Sequence, residues 1–189
     1  MTKRMRNLSH ALAVAVLAVG AAVAEDAVKP KVGDAAPDFT IPDGVAKDQI
    51  GDTKKLSDLK GKNVVLAFYP KAFTPGCTSQ LCGYRDDFAS FKDTNTVVIA
   101  ISVDEQAESD RFKAEKQLPF AVMGDPKHEI IAKYGVELMK RGEFEYAKRT
   151  TFLVGKDGKL AYIDWDYDFA KGKEPLLNAI KGLEGKAAK

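Results

Sequence analysis

The sequence predicts a three-layer α/β/α sandwich built on a mixed central sheet. Two continuous apolar runs, 63–69 and 96–103, have the length and β-branched content of buried strands. Helical stretches at 74–92 and 105–116 follow them, so strand and helix alternate. Two further strands, 149–154 and 159–163, are joined by Gly155-Lys156-Asp157-Gly158, a hairpin signal. A cysteine where the first core strand hands over to its helix gives the layout of a thioredoxin-like fold.

The chain has 189 residues, enough for one domain with a substantial core. Its start has a different character. Lys3, Arg4 and Arg6 precede an apolar stretch from Ala11 to Val19, and Ala22-Val23-Ala24 forms a small-residue cleavage site. That is the layout of a secretory signal peptide over residues 1–24, leaving 25–189 as the domain. The apolar run is short for a membrane span. The expected location is outside the cytoplasm, in the bacterial periplasm. Removing residues 1–24 takes away three basic and no acidic side chains, and the net charge falls from +2 to −1. No nucleic acid or anionic membrane is expected as a partner.

Residues 29–42, punctuated by Pro and Gly, read as a lead-in with short extended pieces, and 53–59 as a turn or short helix ended by Gly61. Pro70 closes the first strand. Thr74 is the expected N-cap of the next helix and Pro75 suits its first position. Within that helix Cys77, Leu81, Tyr84, Phe88 and Phe91 recur at three- and four-residue intervals and form the core-facing stripe. Cys82 falls with Arg85, Asp86 and Ala89 on a more polar side. Phe120 to Met123 reads as a short strand, and Asp125-Pro126 as the start of a helix continuing to Tyr134. The polar segment 136–148 gives no assignment. Asp164, Asp166 and Asp168 alternate with Trp165, Tyr167 and Phe169, the pattern of an extended segment with one acidic, solvated face. Pro175 starts a last helix to about Leu183, with 185–189 as a frayed tail.

The segment from Tyr69 to Cys82 holds the only two cysteines. A free thiol titrates near 8.5, and helix N-termini or nearby cations lower that value. Cys77 falls in the first turn of its helix, where unpaired backbone N–H groups point toward it. Gly76 opens the backbone to a small substrate, and Thr74 supplies a hydroxyl three residues before the sulfur. These groups suit attack on an O–O or S–S bond. A disulfide between Cys77 and Cys82 meets a geometric obstacle. Five residues along a helix separate them by about 140° and about 7.5 Å of rise. Their Cα atoms then lie beyond the ~7 Å reach of a disulfide. The bond requires the helix to unwind, which suits a redox switch better than a structural staple. With two cysteines and one histidine after residue 24, a four-ligand zinc site is not expected, and the aspartates lack the Gly and Glu of a calcium loop. His128 reads as structural.

These residues resemble the peroxiredoxins, specifically the bacterioferritin-comigratory or Q-type group of the AhpC/TSA-like family. Pro70, Thr74 and Cys77 match the family's Pro-x-x-x-Thr-x-x-Cys pattern, and Arg149 matches its late arginine. Val32-Gly33-Asp34-Ala35-Ala36-Pro37-Asp38-Phe39, Ile101-Ser102-Val103-Asp104 and Gly124-Asp125-Pro126 extend the likeness over residues 30–184. The resemblance implies a thiol-dependent hydroperoxide reductase without cofactor or metal. In it Cys77 is the peroxidatic thiol and Cys82 the resolving thiol, with Pro70, Thr74 and Arg149 shaping the pocket. It implies an intramolecular disulfide recycled by a thioredoxin-like dithiol, and a monomer is the favoured state. The alternative readings are an exported thiol–disulfide oxidoreductase and a non-enzymatic redox sensor on the same fold.

Overall fold

The computed structural model describes residues 29–187 apart from 46, so the expected signal peptide lies outside the described residues. In chain order the elements are α1 (Lys47–Ile50), a 3-10 turn (Leu56–Leu59), β1 (Asn63–Phe68), α2 (Pro75–Asp86), α3 (Phe88–Asp93) and β2 (Thr96–Ser102). There follow α4 (Gln106–Lys116), β3 (Ala121–Gly124), α5 (Glu129–Lys133), β4 (Leu138–Arg141) and β5 (Phe144–Ala147). The chain ends with β6 (Thr150–Val154), β7 (Leu160–Asp164) and α6 (Lys173–Ala187).

Five strands form one mixed sheet in the order β3-β2-β1-β6-β7. β1 is central, paired parallel to β2 and antiparallel to β6. Every residue of β1, β2 and β6 is buried, which explains why these runs read as continuously apolar. Alternation still sorts them between two cores. Leu66, Phe68, Ile99, Ile101 and Phe152 face one side, with Tyr134 of the α5 terminus and Leu56. Val65, Ala67, Val98, Ala100 and Leu153 face the other, with Cys77, Leu81, Tyr84, Phe91, Phe112 and Leu176. On the first side Tyr134 stacks on Phe152 with ring centroids 5.0 Å apart and on Phe68 at 5.5 Å. Truncating such a ring to Ala typically costs 3–5 kcal/mol.

The predicted architecture is present, with local differences. The helix expected over 74–92 breaks at Asp87, whose backbone (φ −102°, ψ 19°) leaves helical geometry between α2 and α3. There the Asp87 carboxylate pairs with the Lys173 ammonium of α6, and Phe88 turns against Phe120 (6.1 Å). The unassigned segment 136–148 contains the β4–β5 hairpin; β4 is mostly exposed and β5 only partly buried, so they carry little apolar signal. The last helix begins at Lys173 and runs through Gly185 to Ala187, longer than expected at both ends. The alternating aspartates extend the sheet only to Asp164, because the chain turns at Trp165-Asp166.

The helix expected from Asp125-Pro126 begins later, at Glu129, with His128 as its N-cap in the left-handed region (φ +58°), and Asp125 serves it through its side chain. Its carboxylate accepts the N–H groups of Glu129, Ile130 and Ile131 at 2.8–2.9 Å, satisfying the orphan donors of a short helix.

Candidate active site

The site lies where β1 delivers the chain to α2 and the start of β6 comes alongside. Pro70, half-buried, ends the extended run after Tyr69, whose N–H still donates to the Ile101 carbonyl at 2.9 Å. The next residues are fixed by Asp104, a buried carboxylate beyond β2. It accepts the Ala72 N–H at 2.7 Å, the Ser102 hydroxyl at 2.8 Å and the Lys71 ammonium at 2.9 Å. The Lys71 ammonium is correspondingly held above its usual range by Asp104. Phe73 then adopts φ +60°, a conformation costly for a bulky side chain. Its ring packs on Phe112 (4.9 Å) and lies under the Arg111 guanidinium (4.6 Å). Anchors on both sides hold this strained residue, and it sets the angle at which α2 begins.

Thr74 occupies the N-cap and Pro75 the first helical position, as expected. The capping itself differs. The Thr74 hydroxyl donates to the Lys71 carbonyl at 3.0 Å and makes no side-chain cap bond to the helix. Its oxygen therefore keeps lone pairs for an incoming hydrogen-bond donor. Cys77 is the third helical residue and only 1% exposed. An Arg149 Nη2 donor lies 3.4 Å from its Sγ. The guanidinium carbon lies over the Phe169 ring, 5.4 Å from its centroid. Arg149 immediately precedes β6, and its carbonyl accepts the Tyr167 N–H at 3.1 Å. Cys77 thus meets two sources of positive potential, a helix N-terminus and a guanidinium, in a buried setting.

Gly76 leaves room here for two side chains to pack on the helix mouth. A Cβ added to it would lie 3.3 Å from Arg149 Nη2 and 3.3 Å from Phe169 Cε1. A side chain there would oblige the guanidinium or the ring to shift by a few tenths of an ångström.

Cys82 lies on the same helix and is half-buried; both thiols are free. Its neighbour Arg85 bonds Asp86 and reaches the Lys116 carbonyl at 2.9 Å. The Asp86 carboxylate, and after it the adjacent Cys82, hold the Arg85 guanidinium above its usual range. The structure therefore brings together Cys77, Arg149 and Gly76, places Thr74 at the same helix mouth and keeps Cys82 apart.

Three site residues carry no expectation of a role at the site from the sequence. Gln80, 2% exposed, takes the Arg149 Nη1 donor on its side-chain oxygen and fixes the guanidinium. Its one-turn offset from Cys77 is the signal that marks it. Tyr84 packs behind Gln80 on Tyr167 (ring centroids 6.1 Å), and burial pushes both phenols well above their usual range. Phe169, placed by the alternation on an extended apolar face, instead covers Arg149. Among the described residues no group of three or more His, Cys, Asp or Glu side chains is arranged to hold a metal ion.

A model of the AhpC/TSA family matches residues 32–163, most of the described domain. The chain belongs to the AhpC/TSA family. Within it, the similarity is to the Bcp/Q peroxiredoxins. Peroxiredoxin Bcp of Bacillus subtilis is 35% identical over 162 residues, spanning 84% of this chain and 98% of that protein. Peroxiredoxin Bcp of Escherichia coli is 35% identical over 154 residues, spanning 80% and 96%. The crystal structure of peroxidoxin BcpB from Mycobacterium tuberculosis superimposes with a TM-score of 0.70 at 29% identity, covering 81% of this chain and 97% of that one. The peroxiredoxin fold accounts for the site's position at the junction of β1 and α2.

Proposed function

We propose that this AhpC/TSA-family protein is a thiol-dependent peroxidase of the Bcp/Q type in which Cys77 is the peroxidatic thiol. The observation that carries the assignment is the Arg149 donor 3.4 Å from a buried Cys77 Sγ in the first turn of α2. The Cys77 thiolate attacks the terminal oxygen of a hydroperoxide. An S–O bond forms, the O–O bond breaks, and the departing oxyanion takes a proton to leave as water or alcohol. Arg149 supplies donors where negative charge develops on the two oxygens. Thr74, with its own proton given to Lys71, accepts the O–H of the hydroperoxide.

Cys82 then attacks the Cys77 sulfenic acid. A disulfide forms and the hydroxyl leaves as water, after the helix between the two residues has opened. An external dithiol returns both thiols and is itself oxidised to a disulfide. The basic start, apolar stretch and Ala22-Val23-Ala24 site support export, so the reductant is a thioredoxin-like protein of the same compartment. A dedicated disulfide-exchange enzyme fits less well, because its two thiols must bond without dismantling the helix that activates them.

Peroxide consumption with a dithiol reductant tests the assignment. Wild-type protein turns over and Cys77→Ser is inert. A Cys77→Ser variant with wild-type turnover would overturn it.

A further inference from the structure

The segment 167–173 touches both thiol environments. Near Cys77, Tyr167 donates its N–H to the Arg149 carbonyl and the Phe169 ring lies against the guanidinium. Near Cys82 the segment supplies a cation. Lys173 Nζ donates to the Gly83 carbonyl at 3.5 Å and pairs with the Asp87 carboxylate, where α2 breaks. Gly83 directly follows Cys82, and glycine is the poorest helix former after proline. The Gly83 carbonyl is one of the last four of α2, which lack an N–H partner within a helix. Lys173 brings a donor there, and its charge meets the negative end of the α2 dipole. In its own helix that charge is misplaced, because Lys173 is the first residue of α6, at the positive end. The needs of α2 explain its position; those of α6 do not.

The second step of the cycle says what such a contact controls. The Cys77–Cys82 bond forms only when the chain between the two residues leaves helical geometry. Cys77 is 1% exposed and held beside Arg149. Cys82 is half-buried, little more than one turn from the break at Asp87, and precedes the weakest helical residue. Tyr84 packs that end on Tyr167, and Lys173 is the polar part of the hold. Fast opening there lets Cys82 resolve the sulfenic acid. Slow opening leaves it to a second hydroperoxide, which transfers an oxygen to sulfur, giving a sulfinic acid, and departs as water or alcohol.

We propose that Lys173 is a positioning residue that latches the Cys82 end of α2 and sets how fast the sulfenic acid is resolved. This rests on the peroxidase assignment and adds a control point to its second step. Rapid-quench mixing of reduced protein with one equivalent of hydrogen peroxide, read by mass spectrometry, times the two steps separately: oxidation of Cys77, then formation of the Cys77–Cys82 disulfide. Lys173→Met should speed the second step about 3-fold, the scale of a partly exposed ion pair, and leave the first unchanged. Lys173→Arg keeps the latch and should stay near the wild-type rate. Gly83→Ala should act in the opposite direction, since a Cβ there meets only Lys173 Nζ, at an ordinary 4.0 Å, and strengthens the helix. Its second step slows about 3-fold, on the scale of helix propensity, and more of its Cys77 becomes sulfinic acid in excess peroxide. A second step in Lys173→Met as slow as in wild type, or slower, would overturn the proposal. So would an equal change in both steps, which would assign Lys173 to general stability. Wild-type protein whose Cys77 is not oxidised by peroxide would instead remove the peroxidase assignment, and the latch with it.

Discussion

The two thiols share one helix and occupy opposite environments. Cys77 is buried in the first turn, with a guanidinium at 3.4 Å that Gln80 in turn holds in place. Cys82 is half-buried near the other end, beside an arginine tied to a neighbouring helix carbonyl. The first site is preorganised, and its reaction needs only a small molecule to arrive. The second has the right chemistry in the wrong place and must travel. In the proposed cycle one helix serves as a rigid activator in one step and a hinge in the next.

Breaking the rigid half is expected to have the largest effect. Arg149→Ala removes the cation that faces both thiol and peroxide, and kcat/KM for peroxide should fall on the order of 10²- to 10³-fold. Stopped-flow oxidation of the reduced protein measures this; a rate within a few-fold of wild type would take Arg149 out of the site. Cys82→Ser separates the two halves. Its first oxidation proceeds and leaves a Cys77 sulfenic acid that a dimedone-type reagent traps, while turnover with a dithiol protein collapses. Sustained turnover at the wild-type rate would show that the second thiol has no resolving role.

A smaller effect is expected at Gln80. Gln80→Ala frees the guanidinium and should slow peroxide oxidation on the order of 10-fold, as a misplaced catalytic group does. Gln80→Glu keeps the acceptor and should recover most of that loss. Equal rates for wild type and Gln80→Ala would confine this residue to packing.

The contrast between the halves also marks what the sequence made legible. The segment 69–82 could be read because its information is local: Pro70, Thr74, Pro75 and Cys77 follow strand-to-helix rules within a few residues. The core-facing stripe from Cys77 to Phe91 is a matter of helical period. Gln80 was opaque because its partner Arg149 is 69 residues away and buried amide pairs have no periodic signature. Phe169 was placed by alternation, which fails once the strand stops at Asp164 and a turn re-aims the next side chains. The β4–β5 hairpin has little apolar signal because β4 is mostly exposed and β5 only partly buried, although Gly142 (φ +65°) in its two-residue loop is a usable turn signal. Thr74 takes the N-cap position its sequence context marks, and only its hydroxyl's partner, the Lys71 carbonyl three residues back, has no sequence signal.

The mildest perturbation tests the anchor under the helix mouth. Because pairing with Asp104 raises the Lys71 ammonium above its free value, its contribution is complete below the unfolded value of roughly 10.4 and lost as pH rises through the folded one. Lys71 is 44% exposed, so this contribution is at most about 1 kcal/mol. Thermal unfolding of wild type and Lys71→Met should differ slightly at neutral pH and converge as pH rises past the free lysine value, through the raised folded one. A gap that widens at alkaline pH would contradict the pairing.

The hinge itself is open to direct measurement. Hydrogen exchange read by mass spectrometry, on reduced protein and on protein oxidised by one equivalent of peroxide, follows the amides of α2 while reporting the Cys77–Cys82 bond. The oxidised wild type should contain that disulfide and lose protection across α2, and Cys82→Ser should show neither change. A Cys77–Cys82 disulfide with α2 as protected as in the reduced protein would contradict the account, as would oxidation that leaves the two cysteines unlinked.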